Sequence, residues 1–185
     1  MAVTAALSAS EAASCRAISA KVENLRAVLD ANRLCDPVNA QSWLAHLTQI
    51  KDALGNVGNS MSFLGSLLIK EFLNDEFGVS DFDAGLKPQG ASGADVEATA
   101  EDGRVIVGEL KTTKPYQLGF GAAQRTAMLK DLSRLANSNA DIRIMFVTDR
   151  DAYDAIRDRR AFSSSAPGVL LVDLVSPRKC ILGSD

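Results

Sequence analysis

Through the first third of the chain, apolar residues recur at spacings of three and four, the pattern of helices that bury one face. Cys15, Ile18, Val22, Leu25 and Leu29 form one stripe, and Ser8-Ala9-Ser10-Glu11 ahead of it is a capping-box pattern for the helix start. Trp43, Leu44, Leu47, Ile50 and Leu54 form a second stripe, closed near Gly55 and Gly58. Between the two, Asp36-Pro37 ends the first helix or starts the next, and Pro37 suits a first turn. A third helix is expected from near Ser60, carrying Phe63, Leu64, Leu67, Leu68 and Phe72, with Gly78 as its stop.

Beyond Gly78 the period changes. Pro88, Gly90 and Gly93 mark a loop. Residues 94–100 and 104–112 then read as strands joined by Glu101-Asp102-Gly103, a hairpin signal, and Pro115 breaks the second. Residues 121–137 return to the helical period with Met128, Leu132 and Leu135 inward. A continuous apolar strand of the buried kind follows at 142–148, then a short charged helix at 151–160 and a strand at 168–175. This order implies an α/β sandwich around a mixed sheet over 59–185, preceded by a helical region over 1–58. No internal repeat or low-complexity linker interrupts it.

Composition narrows the picture modestly. The 185 residues suffice for one domain with a helical appendage, and 46% hydrophobic with 23% charged residues is ordinary for a soluble globular chain. No apolar run approaches the ~18 residues of a membrane span, and the first ten residues lack a basic n-region, so neither an anchor nor a signal peptide is expected. Cys15, Cys35 and Cys180 lack CxxC spacing, which argues against a disulfide framework or a zinc knuckle and makes the cytoplasm the expected location. His46, the single histidine, sits among Trp43, Leu44 and Leu47 and reads as structural or surface; one histidine also argues against histidine-ligated zinc nucleases. No phosphate-binding GxxxxGK[ST] loop is present. A net charge of −3 is not that of a protein that coats nucleic acid. It does not exclude a nuclease, whose acidic site lowers the net charge.

The chemistry concentrates at Gly93-Ala94-Asp95 and Glu109-Leu110-Lys111. On a strand, Glu109 and Lys111 share a face while Leu110 points into packing. The side Asp95 takes depends on the hairpin. A two-residue turn at Asp102-Gly103 pairs 95 with 110 and puts Asp95 on the other face. A three-residue loop, with Gly103 in the left-handed position, pairs 95 with 109 and gathers all three; a bulge would serve too. Two carboxylates and the Leu110 carbonyl suit Mg2+, which takes oxygen ligands and keeps several waters. Lys111 beside a phosphate would orient the attacking water and stabilise developing charge. The plainer alternative is a solvated strand face with a cross-strand ion pair. Glu97, two residues from Asp95, is read as solvated, and Lys130 and Arg134 as either a solvated helix face or a contact to a DNA backbone.

These residues and the element order over roughly 60–175 resemble the PD-(D/E)XK nuclease superfamily, which includes type II restriction endonucleases, junction resolvases and RecB-like nucleases. Ala94 stands at the name-giving proline, a position that varies in the family. The resemblance implies a restriction-endonuclease-like three-layer α/β/α sandwich with a mixed central sheet. It also implies Asp95, Glu109, the Leu110 carbonyl and Glu71 at a Mg2+ site, with Mn2+ a possible substitute and Glu76 a lesser candidate than Glu71. Lys111 would position the water, and Gln124 on the following helix, supported by Arg125 and Lys130, would complete the site. The implied activity is Mg2+-dependent endonuclease cleavage of double-stranded DNA, most like a type II restriction enzyme, by a homodimer whose N-terminal helices dimerise or embrace DNA. A structure-selective nuclease and a catalytically idle nuclease-like binding protein are the alternatives.

Overall fold

The box at the start of the chain closes as the pattern requires. Ser8 Oγ accepts the Glu11 amide at 3.2 Å and Glu11 Oε2 accepts the Ser8 amide at 2.8 Å, which starts α1 (Ala9–Ala31). The structure is a computed structural model and describes residues 6–31, 39–86, 93–113, 122–176 and 178–183. Asp36-Pro37 and Cys35 therefore lie outside the described residues. α2 (Ala40–Leu54) is capped by Asn39, whose Oδ1 accepts the Ser42 amide at 3.0 Å, and it stops at Gly55, φ +57°. α3 (Val57–Phe77) starts earlier than Ser60, because Asn56 Oδ1 accepts the Asn59 amide at 3.1 Å and serves as the cap. It ends at Gly78, φ +66°, where the pattern places the stop.

The chain divides into two compact units, Leu7–Met61 and Ser62–Asp185, with the boundary inside α3. In the first, α1 packs on α2. His46 is buried and meets Trp43 edge-on at 6.3 Å between ring centroids, the structural placement expected of it. Leu44 and Leu47 of the same stripe are exposed.

The second unit continues with β1 (Val96–Thr99), β2 (Val105–Lys111), α4 (Ala122–Ala136), β3 (Ile142–Val147), α5 (Arg150–Asp158), α6 (Arg160–Ser163), β4 (Leu170–Asp173) and β5 (Arg178–Ile181). These strands form one five-stranded sheet in the order β1-β2-β3-β4-β5. The two outer pairs are antiparallel and the inner pairs parallel, so the sheet is mixed and the class is α/β. Two elements exceed the expectation. The charged helix splits at Arg159, whose extended backbone (φ −88°, ψ 112°) separates α5 from α6. β5 pairs with β4 at the edge; it is four residues long and half of them are cations, so it carries no apolar alternation to read.

The period of two sorts β2 and β3 between two cores. Ile106 and Leu110, with Ile144 and Phe146, pack with Ile69 and Leu73 of α3. Val107, with Met145 and Val147, packs with Met128, Leu132 and Leu135 of α4. Glu109 and Lys111 share the parity of Val107 and so face the α4 side. Two glycines hold β2 in place. A Cβ at Gly65 would lie 2.8 Å from Leu110 Cδ2, and one at Gly108 would lie 2.9 Å from Phe146 Cε2. Among the described residues, no helix is long and apolar enough to cross a membrane.

Candidate active site

The hairpin takes the register that gathers the three residues. Val96 pairs with Gly108 and Thr99 with Val105. Ala100 closes the loop, its amide donating to the Arg104 carbonyl at 2.9 Å and its carbonyl accepting the Gly103 amide at 2.9 Å. Gly103 has φ +87°, the left-handed conformation of the three-residue loop. Asp95 is the residue next before Val96, and Glu109 the next after its partner Gly108.

Asp95 precedes β1, and its side chain continues the ladder where the backbone leaves it: Oδ2 accepts the Leu110 amide at 2.9 Å. On the other edge of β2 the Lys111 carbonyl accepts the Thr148 amide at 3.3 Å. Because carbonyls alternate along a strand, the Leu110 carbonyl points to the Asp95 side.

α4 brings two further residues. Lys111 Nζ lies 2.6 Å from Asp131 Oδ2. Arg134 Nη2 lies 3.0 Å from Asp131 Oδ1 and 2.5 Å from Glu109 Oε1. The Glu109 side chain is only 2% exposed, and among the described residues no hydrogen-bond donor is aligned on Oε1 despite that close ion pair. Burial first, then the Asp95 carboxylate, push the Glu109 carboxyl up to about 7, with Arg134 pulling the other way. Near neutral pH this buried acid is divided between its two protonation states, a behaviour common at functional sites.

The donor set fits a hard divalent cation: two carboxylates from facing positions, a backbone carbonyl on their side, and a buried carboxylate oxygen without an aligned donor. Asp95, Glu109 and the Leu110 carbonyl are the atoms that would hold it. Glu71 is half-buried on α3, the helix that covers the opposite face of the sheet. Among the described residues, no three histidines, cysteines or carboxylates form a group that could hold a metal. Glu76 pairs instead with Lys179 Nζ at 2.6 Å. Gln124 lies in the first turn of α4, its side chain outside the described set, while Arg125 and Lys130 are exposed. Glu97 is exposed, as read.

Asp131 and Arg134 are the residues that sequence reasoning left out of the site. The signal was present. Asp131 falls three residues after Met128 and four before Leu135, a carboxylate on the inward stripe of an otherwise apolar helix face. Arg134 follows at the spacing that pairs side chains along a helix.

Compared with family models, curated proteins and solved structures, the chain matches none.

Proposed function

We propose that this chain is a Mg2+-dependent DNA endonuclease of the PD-(D/E)XK kind, most like a type II restriction endonuclease. The observation that carries the reading is the hairpin register, which pairs Val96 with Gly108 and lets the Asp95 carboxylate accept the Leu110 amide, between Glu109 and Lys111 in β2. The order around it supports the restriction-endonuclease-like sandwich, since an antiparallel hairpin is followed by a helix and a parallel strand. Asp95, Glu109 and the Leu110 carbonyl would hold Mg2+, with Mn2+ as substitute. When bound, the ion supplies Lewis-acid polarisation of the phosphate and a more acidic water.

The chain's own groups do the rest. In hydrolysis a water oxygen bonds to phosphorus, the bond to the leaving sugar oxygen breaks, and a proton leaves the water. Lys111 faces the negative charge that develops on the phosphoryl oxygens, and Asp131 fixes where its ammonium stands. Gln124, on the same helix as Asp131, would help complete the site. Glu71 would assist only from outside the Asp95–Glu109 pair, so Glu71→Ala costs less activity than Glu109→Ala. The substrate is double-stranded DNA, and a two-fold dimer in the cytoplasm would cut both strands.

One observation favours a second reading. Lys111, Asp131, Arg134 and Glu109 are linked in a run of three ion pairs, as in a catalytically idle fold serving as a binding protein. Plasmid digestion separates the two. Mg2+-dependent cutting that EDTA stops and Lys111→Ala abolishes is the expected result. No cutting of varied DNA, together with no calorimetric binding of Mg2+ or Mn2+, would establish the idle fold.

A further inference from the structure

Arg134 has an unusual place for a helix-surface arginine. Its Nη2 sits between two carboxylates, 2.5 Å from Glu109 Oε1 and 3.0 Å from Asp131 Oδ1, while 47% of its side chain is exposed. A third carboxylate, Asp95, accepts the amide of Leu110, the residue after Glu109. A buried carboxylate with other acids in its neighbourhood needs a positive charge nearby, and a guanidinium on a long, half-solvated stem is one that can leave without unfolding anything.

We propose that Arg134 is the built-in counter-cation of this site: it occupies the electrostatic place of the divalent ion at Glu109 and must release that carboxylate for the ion to bind. The inference rests on the endonuclease reading for the identity of the ion, and it assigns Arg134 as a positioning residue that sets metal affinity. Its consequence has the opposite sign to that of a ligand. Losing a ligand weakens metal binding, whereas losing a competing cation strengthens it. Asp131 keeps Lys111 on its other oxygen, 2.6 Å away, so release of Arg134 leaves the lysine anchored.

The test is calorimetric titration of the full-length chain with Mn2+ at about pH 8, where free carboxyl groups are ionised, for wild type, Arg134→Gln and Glu109→Gln. Arg134→Gln is expected to bind Mn2+ about tenfold more tightly than wild type, and Glu109→Gln to lose binding. Binding by Arg134→Gln alone, with none by wild type, also supports the proposal. Equal or weaker binding by Arg134→Gln, with wild type competent, overturns the proposal and leaves the endonuclease reading standing. Absence of binding in both overturns both. A measurement on the unaltered chain covers a variant that fails to fold: 15N NMR of arginine Nε–H groups during a Mg2+ titration. The Arg134 signal should move in step with saturation of the site; a signal that stays fixed while the site fills overturns the proposal.

Discussion

Lys111 Nζ lies 2.6 Å from Asp131 Oδ2, an ion pair between a strand and a helix in which the two side chains are 22% and 14% exposed. The pair fixes the ammonium on the α4 side of the sheet, the side Glu109 also faces. Breaking it leaves a largely buried lysine without its partner, at a cost of about 1–3 kcal/mol, below the full cost for a wholly buried pair. Asp131→Asn should therefore unfold at lower denaturant concentration. On the proposed endonuclease reading it should also lower turnover by about 100-fold with little change in KM, because misplacing a group at the reacting centre costs on that scale. Loss of stability with turnover intact would remove Asp131 from the mechanism.

Glu109 sets a pH dependence whose sign follows from its environment. The folded state lifts its carboxyl from 4.5 to about 7, so the native chain favours the protonated acid. That contribution to stability is complete below about pH 4.5 and is lost as pH rises through 7. At about 1.36 kcal/mol per pH unit between the two values, the loss reaches roughly 3 kcal/mol. Glu109→Gln mimics the protonated acid and escapes it. In EDTA, wild type should lose stability relative to Glu109→Gln between about pH 5 and 8. A constant difference between the two across that range would contradict the buried, acid-paired environment.

The same site shows what a sequence reveals and what it hides. The period of two along residues 105–111 and the glycine at 103 were enough to state which hairpin register the site needs, and that register is the one present. Local chemistry sets it, so it is legible locally. The capping box at Ser8 and Glu11 and the stop at Gly78 are legible for the same reason. Which face of the sheet a helix covers is decided by chain crossover and long-range packing. The pattern of α3 alone does not say which side it covers; it packs on the Leu110 side, through Gly65 and Ile69. Asp131 was visible as a charge on an apolar stripe, but its partner Lys111 lies on a different element, and no spacing rule joins the two.

The two glycines that seat β2 should respond differently to alanine. At Gly108 the added Cβ meets Phe146 Cε2 at 2.9 Å, Val96 Cβ at 3.2 Å and the Ile144 carbonyl oxygen at 3.3 Å, a site closed on three sides and partly by backbone. Overpacking there should cost about 1–3 kcal/mol and displace the neighbouring Glu109. At Gly65 the obstacle is the flexible end of the Leu110 side chain, 2.8 Å away, and alanine gains up to about 1 kcal/mol of helix propensity over glycine. Gly65→Ala should come out near neutral. Equilibrium denaturation of both variants checks the order, and a larger loss at Gly65 would mean that α3 cannot yield over β2.

A second ion-pair network sits on the same line across the sheet, since Lys111 pairs with Val147, Val147 with Asp173 and Asp173 with Arg178. Its carboxylates are paired within it, while Arg178 Nε is buried with no hydrogen-bond partner among the described residues. The buried Asp173 carboxylate accepts Arg178 Nη2 at 2.7 Å and the Val175 and Ser176 amides at 3.1 and 3.2 Å, which ties the β4–β5 turn. Arg178 also reaches Asp154 at 3.0 Å and lies over the Tyr153 ring at 4.5 Å. Both terminal nitrogens of Arg178 and both Asp173 oxygens are spent on neighbours, which fits a scaffold role. Arg178→Ala strands a buried carboxylate and should cost about 3 kcal/mol or more. At a temperature where the variant stays folded, its Mn2+ affinity should equal that of wild type, in contrast to Glu109→Gln. A variant that keeps its stability but loses Mn2+ binding would instead place Arg178 and Asp173 in the working site, and extend that site across the sheet.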